Sequence, residues 1–277
     1  GIAQVRPIKG LSEYLENARS KGRAIHYLPP YRPELKIQLG ELLGIPVQEV
    51  EARKSIPFIK AVIAQRSIKS AEELAEINKA VNITAAMHTH AIRQTKHGRT
   101  EKEMAGELQA IAIAGGGNIS FPIIFTKNGQ YLHNHATQAT VQRGDLVLCD
   151  CGAETAMHYA GDMTRTFPVS ERFTQLQKDV YSIVLNAHEG AIAQLKPGYL
   201  FKDAHLLACS KIVEGLKEMG LMKGDVGEAV AQGAHTLFFQ CGLGHMMGLD
   251  VHDMENLGEQ WVGYTDALKK STDFGLK

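Results

Sequence analysis

Apolar residues recur at helical spacing through several long stretches of the chain. In KSAEELAEINKAVNITAAMHTHAIRQ the pattern predicts an amphipathic helix that runs to about Thr95 and is opened by a capping box, Ser70 followed by Glu73. A second helix is predicted from Thr100, with Glu103 completing the same pattern, to the glycine triplet at 115–117. The period then shortens. ISFPIIFTK, DLVLCDCGAE and AMHYAGDMTRTFPV read as short strands. FTQLQKDVYSIVLNAHEGAIAQL and FKDAHLLACSKIVEGLKEMG read as two further helices, separated by KPG at 196–198. CGLGHMMGLDVHD, residues 241–253, reads as a last strand-like segment. Helices, then strands, then helices, then a strand predict an α+β fold with an antiparallel sheet.

Residues 1–66 follow a different pattern. Two helical stretches flank LPPYRP, the second with Leu35, Leu39, Leu42 and Leu43 at helical spacing, and FIKAVIAQRSI reads as a short buried helix. So short a piece makes a small core, and it carries no catalytic cluster. It is expected to be the tail of a domain or an extension.

Charge narrows the range of partners. Thirty basic and thirty acidic side chains leave a formal net charge of zero, with no long run of either sign, which argues against nucleic acid or an anionic membrane as the main partner. No apolar run approaches the ~20 residues of a membrane helix, and GIAQVRPIKG lacks the layout of a signal peptide. Of the four cysteines, Cys149 and Cys151 lie on a predicted strand, are expected on its opposite faces, and so are not expected to pair. There is no CxxC pair. Reduced thiols and a cytoplasmic location are expected.

Three groups could do chemistry. Asp150 ends the apolar strand LVLCD, and Asp162 precedes the next one. If the two strands form a hairpin the carboxylates converge, and they then need a proton or cation between them. Taken alone, Asp beside Gly152 and Gly161 is also an ordinary turn composition. His245 and His252 form the second group. Their odd separation places the rings on opposite faces of a regular strand unless a bulge at Gly248 resets the phase, so one ligand and one substrate-facing histidine is the better reading. His133 and His135, on what could be one strand face, form the third. The pair suggests a substrate contact, an exposed loop or, as a lesser reading, a single-zinc His-x-His site. P-loop, GxGxxG, GxSxG and HExxH motifs are absent.

Together these pieces resemble the pita-bread metallopeptidases, in the Xaa-Pro aminopeptidase and prolidase group. The likeness runs from about Lys69 to Asp253 through KSAEELAEI, Leu132-His133, GDLVLCDCGAE, YAGDMTRTFPV, LKPG and GLGHMMGLDVHD, in the family's order. It implies the pita-bread fold over residues 67–277, preceded in residues 1–66 by the remnant of a smaller N-terminal domain. It implies hydrolysis of the bond between an N-terminal residue and a following proline, through two divalent metal ions (Mn, Co or Zn) that activate a water. Asp150, Asp162 and His245 are the implied metal ligands. His133 and His252 are the implied catalytic, substrate-side histidines. Cys241 stands in the substrate pocket where the family usually has histidine. The implied partner is a peptide with proline at its second position, and a homodimer is compatible with the relatives' habit.

The family's ligand set also includes two glutamates, one in a Val-Glu-Pro-Gly type segment. No such segment follows here, and Glu255, Glu259, Asp266 and Asp273 stand in another setting. The expectation is therefore a chain without the C-terminal end of the domain and with impaired activity. The alternatives are a non-catalytic pita-bread module that binds peptides or proteins, and an Xaa-Pro dipeptidase.

Overall fold

A computed structural model describes residues 3–170, 172–265 and 267–270. Asp266 and Asp273 lie outside the described residues. The chain divides into two compact units, one of residues up to Ile68 with Met254–Ala267, the other containing Lys69–Asp253.

In the first unit, helices α1 (Leu11–Ser20), α2 (Pro33–Leu43), α3 (Val47–Val50) and α4 (Ile56–Ser67) surround a small core containing Leu43, Val50, Ile59 and Ile63. The left-handed Gly44 (φ 61°) ends α2. Ser55 opens α4, its side chain accepting from the Phe58 amide. The Tyr27 hydroxyl donates to the Val50 carbonyl at 2.8 Å.

The second unit carries the expected order of elements. Helix α5 (Ala71–Gln94) starts at Ser70 and α6 (Glu101–Ala114) at Thr100, each with a reciprocal capping box. Two short strands, β1 (Asn118–Ile119) and β2 (Ile124–Thr126), precede β3 (Leu146–Cys151), β4 (Ala153–Glu154) and β5 (Met163–Pro168). All described pairings are antiparallel, in the orders β1-β4 and β2-β3-β5. Met87 and Ala91 of α5 and Met104, Leu108 and Ala112 of α6 pack onto Phe125, Val147, Cys149, Cys151 and Phe167. Helices α7 (Gln175–Gln194) and α8 (Phe201–Glu218) pack together around Ala187, Ala191 and Ala208, and a short α9 (Val226–Ala231) follows.

Two expectations are corrected here. Cys149 and Cys151 share one face of β3, because side chains two residues apart point the same way. Both are buried and their sulfurs lie 3.8 Å apart, although neither is in a disulfide. Residues 241–253 form no strand in the described sheets. Their backbone groups bond within the segment, Asp253 N–H to Met246 C=O at 2.9 Å and Gly248 N–H to Asp250 C=O at 3.1 Å, so they form a folded loop rather than a ladder.

Candidate metal centre

Strand β3 alternates strictly. Val147, Cys149 and Cys151 face the helices, and Asp150 lies on the other face at intermediate burial. In the β3–β5 register Asp150 is opposite Thr164, whose hydroxyl donates to Asp150 Oδ1 at 2.8 Å. Asp162 sits immediately before β5, so the hairpin brings both carboxylates to one end of the sheet. Two glycines permit this close crossing. A Cβ at Gly152 would come within 1.8 Å of the Gly161 carbonyl oxygen, and one at Gly161 within 2.6 Å of Thr84 Oγ1. Thr84 and Ser120 then tie the hairpin down, the first accepting from Ala153 N–H at 3.0 Å and the second donating to the Gly161 carbonyl at 2.7 Å.

The 241–253 loop docks on the same end. Ala160 N–H donates to Gly248 C=O at 2.8 Å. Lys69 Nζ donates to the buried Asp253 carboxylate at 2.8 Å. The loop places His245 Nε2 3.1 Å from Asp162 Oδ2. It also stacks the rings of His245 and His252, with centroids 3.8 Å apart and planes 14° apart. The expectation of opposite faces therefore fails, because the turn at 248–250 replaces the regular strand.

Electrostatics mark the spot. Burial pushes the Asp150 carboxyl above its ordinary range. The Thr164 hydroxyl opposes the shift, the Asp162 charge adds to it, and His88 and His133 pull it down. His245 Nδ1 lies 3.0 Å from the Met246 carbonyl oxygen, where only an N–H can bond. With a neutral ring, the Nε2 lone pair then faces a carboxylate oxygen, and the contact requires positive charge between them. A carbonyl on Nδ1 and a cation on Nε2 is also the usual arrangement of a metal-ligating histidine. Two donors bonded to one ion at about 2.1 Å and a right angle stand about 3 Å apart. Asp162 and His245 thus fit one side of a divalent-cation centre, while Asp150 does not close with them into a group of three ligand atoms within 4.8 Å of one another.

His133 sits in a turn with φ 53° and is exposed, as is His135, so the strand face expected for the pair is not formed. His133 nevertheless lies within electrostatic reach of Asp150. The carboxylate of Glu101, fully buried at the start of α6, secures both ends of its loop. Oε1 accepts from Lys127 N–H and the Thr126 hydroxyl, each at 3.0 Å, and Oε2 accepts from Thr137 N–H at 2.9 Å and its hydroxyl at 2.7 Å. Burial alone would push this carboxyl up, but the four hydrogen bonds outweigh it and hold it below its ordinary range. Nothing in the sequence pattern singled out Glu101. Cys241 is exposed, and among the described residues no hydrogen bond joins it to the cluster.

A profile of metallopeptidase family M24 matches residues 75–273. The chain belongs to this family. An Xaa-Pro aminopeptidase of Escherichia coli K12 is 39% identical over 209 residues, covering 74% of this chain and 47% of that protein. One from Haemophilus influenzae is 37% identical over 206 residues, covering 70% and 46%. Zinc-substituted E. coli aminopeptidase P in complex with product superposes with a TM-score of 0.67 at 40% identity, covering 70% of this chain and 44% of that one. Proline aminopeptidase P II of Yersinia pestis gives 0.67 at 37% identity, covering 70% and 45%. The M24 chain described here thus spans less than half the length of each of these relatives. Its fold is the family's pita-bread fold, as its motifs implied. No helix among its described residues is long and apolar enough to cross a membrane.

Proposed function

We propose that this M24 chain belongs to a metal-dependent peptidase that removes an N-terminal residue preceding proline. The observation that carries the reading is His245 Nε2 at 3.1 Å from Asp162 Oδ2, with Asp150 pushed up beside them. In this reading Asp150, Asp162 and His245 hold the family's divalent ions, two in number and drawn from Mn, Co or Zn. Bound there, such ions supply Lewis-acid chemistry, acidifying a water and polarising a carbonyl.

The chain's own side chains do the rest. Thr164 holds Asp150 in its rotamer, and the Met246 carbonyl holds the His245 ring. His252, stacked on His245, and His133, held by the Glu101-secured loop, orient the peptide and carry protons at its carbonyl. A proline ring removes the amide N–H and bends the chain, and in this reading Cys241 stands on the substrate side of these rings. In this reading residues 1–66 come from a smaller N-terminal domain and 67–277 from the pita-bread domain, although residues 67–68 and Met254–Ala267 group with the first compact unit. Free thiols suit a cytoplasmic setting.

The test is hydrolysis of a peptide with proline second against the same peptide with alanine second, with Mn(II), Co(II) or Zn(II) added. Release of the first residue from the proline peptide alone, lost on Asp162→Asn, is the expected outcome. Cleavage of both peptides alike, or activity that survives Asp162→Asn, would count against it.

A further inference from the structure

A second cluster lies away from this site. His205 and Cys209 stand one turn apart on α8 and share a face. His235, in the 3-10 turn Ala234–Leu237, packs against them, its ring centroid 6.3 Å from that of His205. All three are buried, with relative exposures of 2%, 0% and 0%. Cys209 Sγ is 3.5 Å from His205 Nε2, and one ligand atom from each residue lies within 4.8 Å of the others. Donors bound to a single ion at about 2.0–2.3 Å, at angles near 110–120°, stand about 3.6–3.8 Å apart. The sulfur–nitrogen separation is close to that already, and His235 completes the set by a shift of about 1 Å.

We propose that His205, Cys209 and His235 form a binding site for one thiophilic d10 metal ion of the Cu(I) class. Softness selects the donors, since thiolate and imidazole suit Cu(I) and Zn(II) and disfavour hard ions. Charge and coordination number separate those two. Cys209 packs with Val213 and Val230, and Leu206 and Phe239 close over them, so the surroundings have low polarity. A single thiolate neutralises a monovalent ion and leaves a divalent one with net charge, which is costly to bury. Three donors satisfy Cu(I), whereas a closed Zn(II) site takes four.

Entry of the ion forms the metal–sulfur bond, breaks the S–H bond of the free Cys209 thiol and releases one proton, with no change of oxidation state. Bound, the ion joins α8 to the turn that leads into the 241–253 loop.

The test is anaerobic titration of the chain with Cu(I) against a chromophoric Cu(I) chelator, with proton release followed in weak buffer. The unaltered chain is expected to hold an equivalent that is lost in both Cys209→Ser and His235→Ala, and to release one proton on taking it up. Cys149→Ser with Cys151→Ser should keep that equivalent, which separates this site from the buried His88, Cys149 and Cys151 group. X-ray absorption on the unaltered chain with one equivalent needs no variant. One sulfur and two nitrogens around copper are expected, whereas two sulfurs would place the ion at the other group and overturn the proposal. Equal Cu(I) retention by Cys209→Ser, no retention against the chelator, or preferential retention of Zn(II) would also overturn it.

Discussion

Lys69 and Asp253 form an ion pair of 2.8 Å in which the carboxylate is 1% and the lysine side chain 13% exposed. Asp253 follows His252 directly, and its other oxygen faces the Asp250 amide at 3.4 Å. The pair therefore fixes the far end of the loop that carries both stacked histidines. Removing one partner of a buried pair strands the other, at a cost of about 3–5 kcal/mol. Asp253→Ala is expected to lower stability by about that amount in urea unfolding, and Asp253→Asn by less. Unchanged midpoints for both would show that the loop does not depend on the pair.

Glu101 acts on the other side of the site. Glu101→Gln places an amide donor where four donors already converge, so the His133 loop should loosen. Expected are a lower Tm and a higher KM for the peptide, with kcat less affected. The pH dependence follows from the sign of the shift. A carboxyl held below its unfolded value contributes stability that is fully present above about pH 4.3 and is lost as pH falls through the lower folded-state pKa. The substitution should remove that acid-range contribution, which unfolding measured between pH 3 and 7 would reveal.

Asp150 behaves in the opposite sense. Its folded-state pKa is raised, so without metal its charge destabilises the fold at neutral pH, and the penalty disappears as pH falls below the unfolded value near about 3.9. Asp150→Asn keeps an acceptor for Thr164 and removes the charge. It should stabilise the metal-free chain by up to about 1 kcal/mol at pH 7 and abolish stabilisation by added divalent ions. A variant less stable than the parent at pH 7 but equal to it at pH 3.5 would contradict this.

Cys241 is exposed, so Cys241→His should leave Tm within about 1 °C. If the chain is a damaged or partial peptidase, the histidine should improve proline-peptide hydrolysis. If it is a non-catalytic binding module, the substitution should change peptide affinity and leave hydrolysis absent.

Much of this architecture was legible in the sequence because its signals are local. The capping residues Ser70, Glu73, Thr100 and Glu103 mark helix starts within a few positions, and the apolar run LVLCD marks β3, although the faces of Cys149 and Cys151 on it were misassigned. The order of motifs carried the family. What escaped depends on contacts distant in sequence. Nothing near Glu101 announces that its acceptors will be the two ends of the His133 loop. The spacing of His205 and Cys209 is visible on α8, but their approach to His235 exists only once α8 and the Ala234–Leu237 turn pack. The 241–253 segment was misread because its apolar pattern suits a strand, while its hydrogen bonds close within the segment.

In the proposed reading Asp150, Asp162 and His245 serve one metal centre. An anomalous-scattering map from crystals grown with Mn(II) tests it most directly. Density is expected about 2.0–2.3 Å from Asp162 Oδ2 and His245 Nε2, with an Asp150 oxygen drawn in beside it. No density there, with His245 Nε2 and Asp162 Oδ2 still about 3 Å apart, would contradict it.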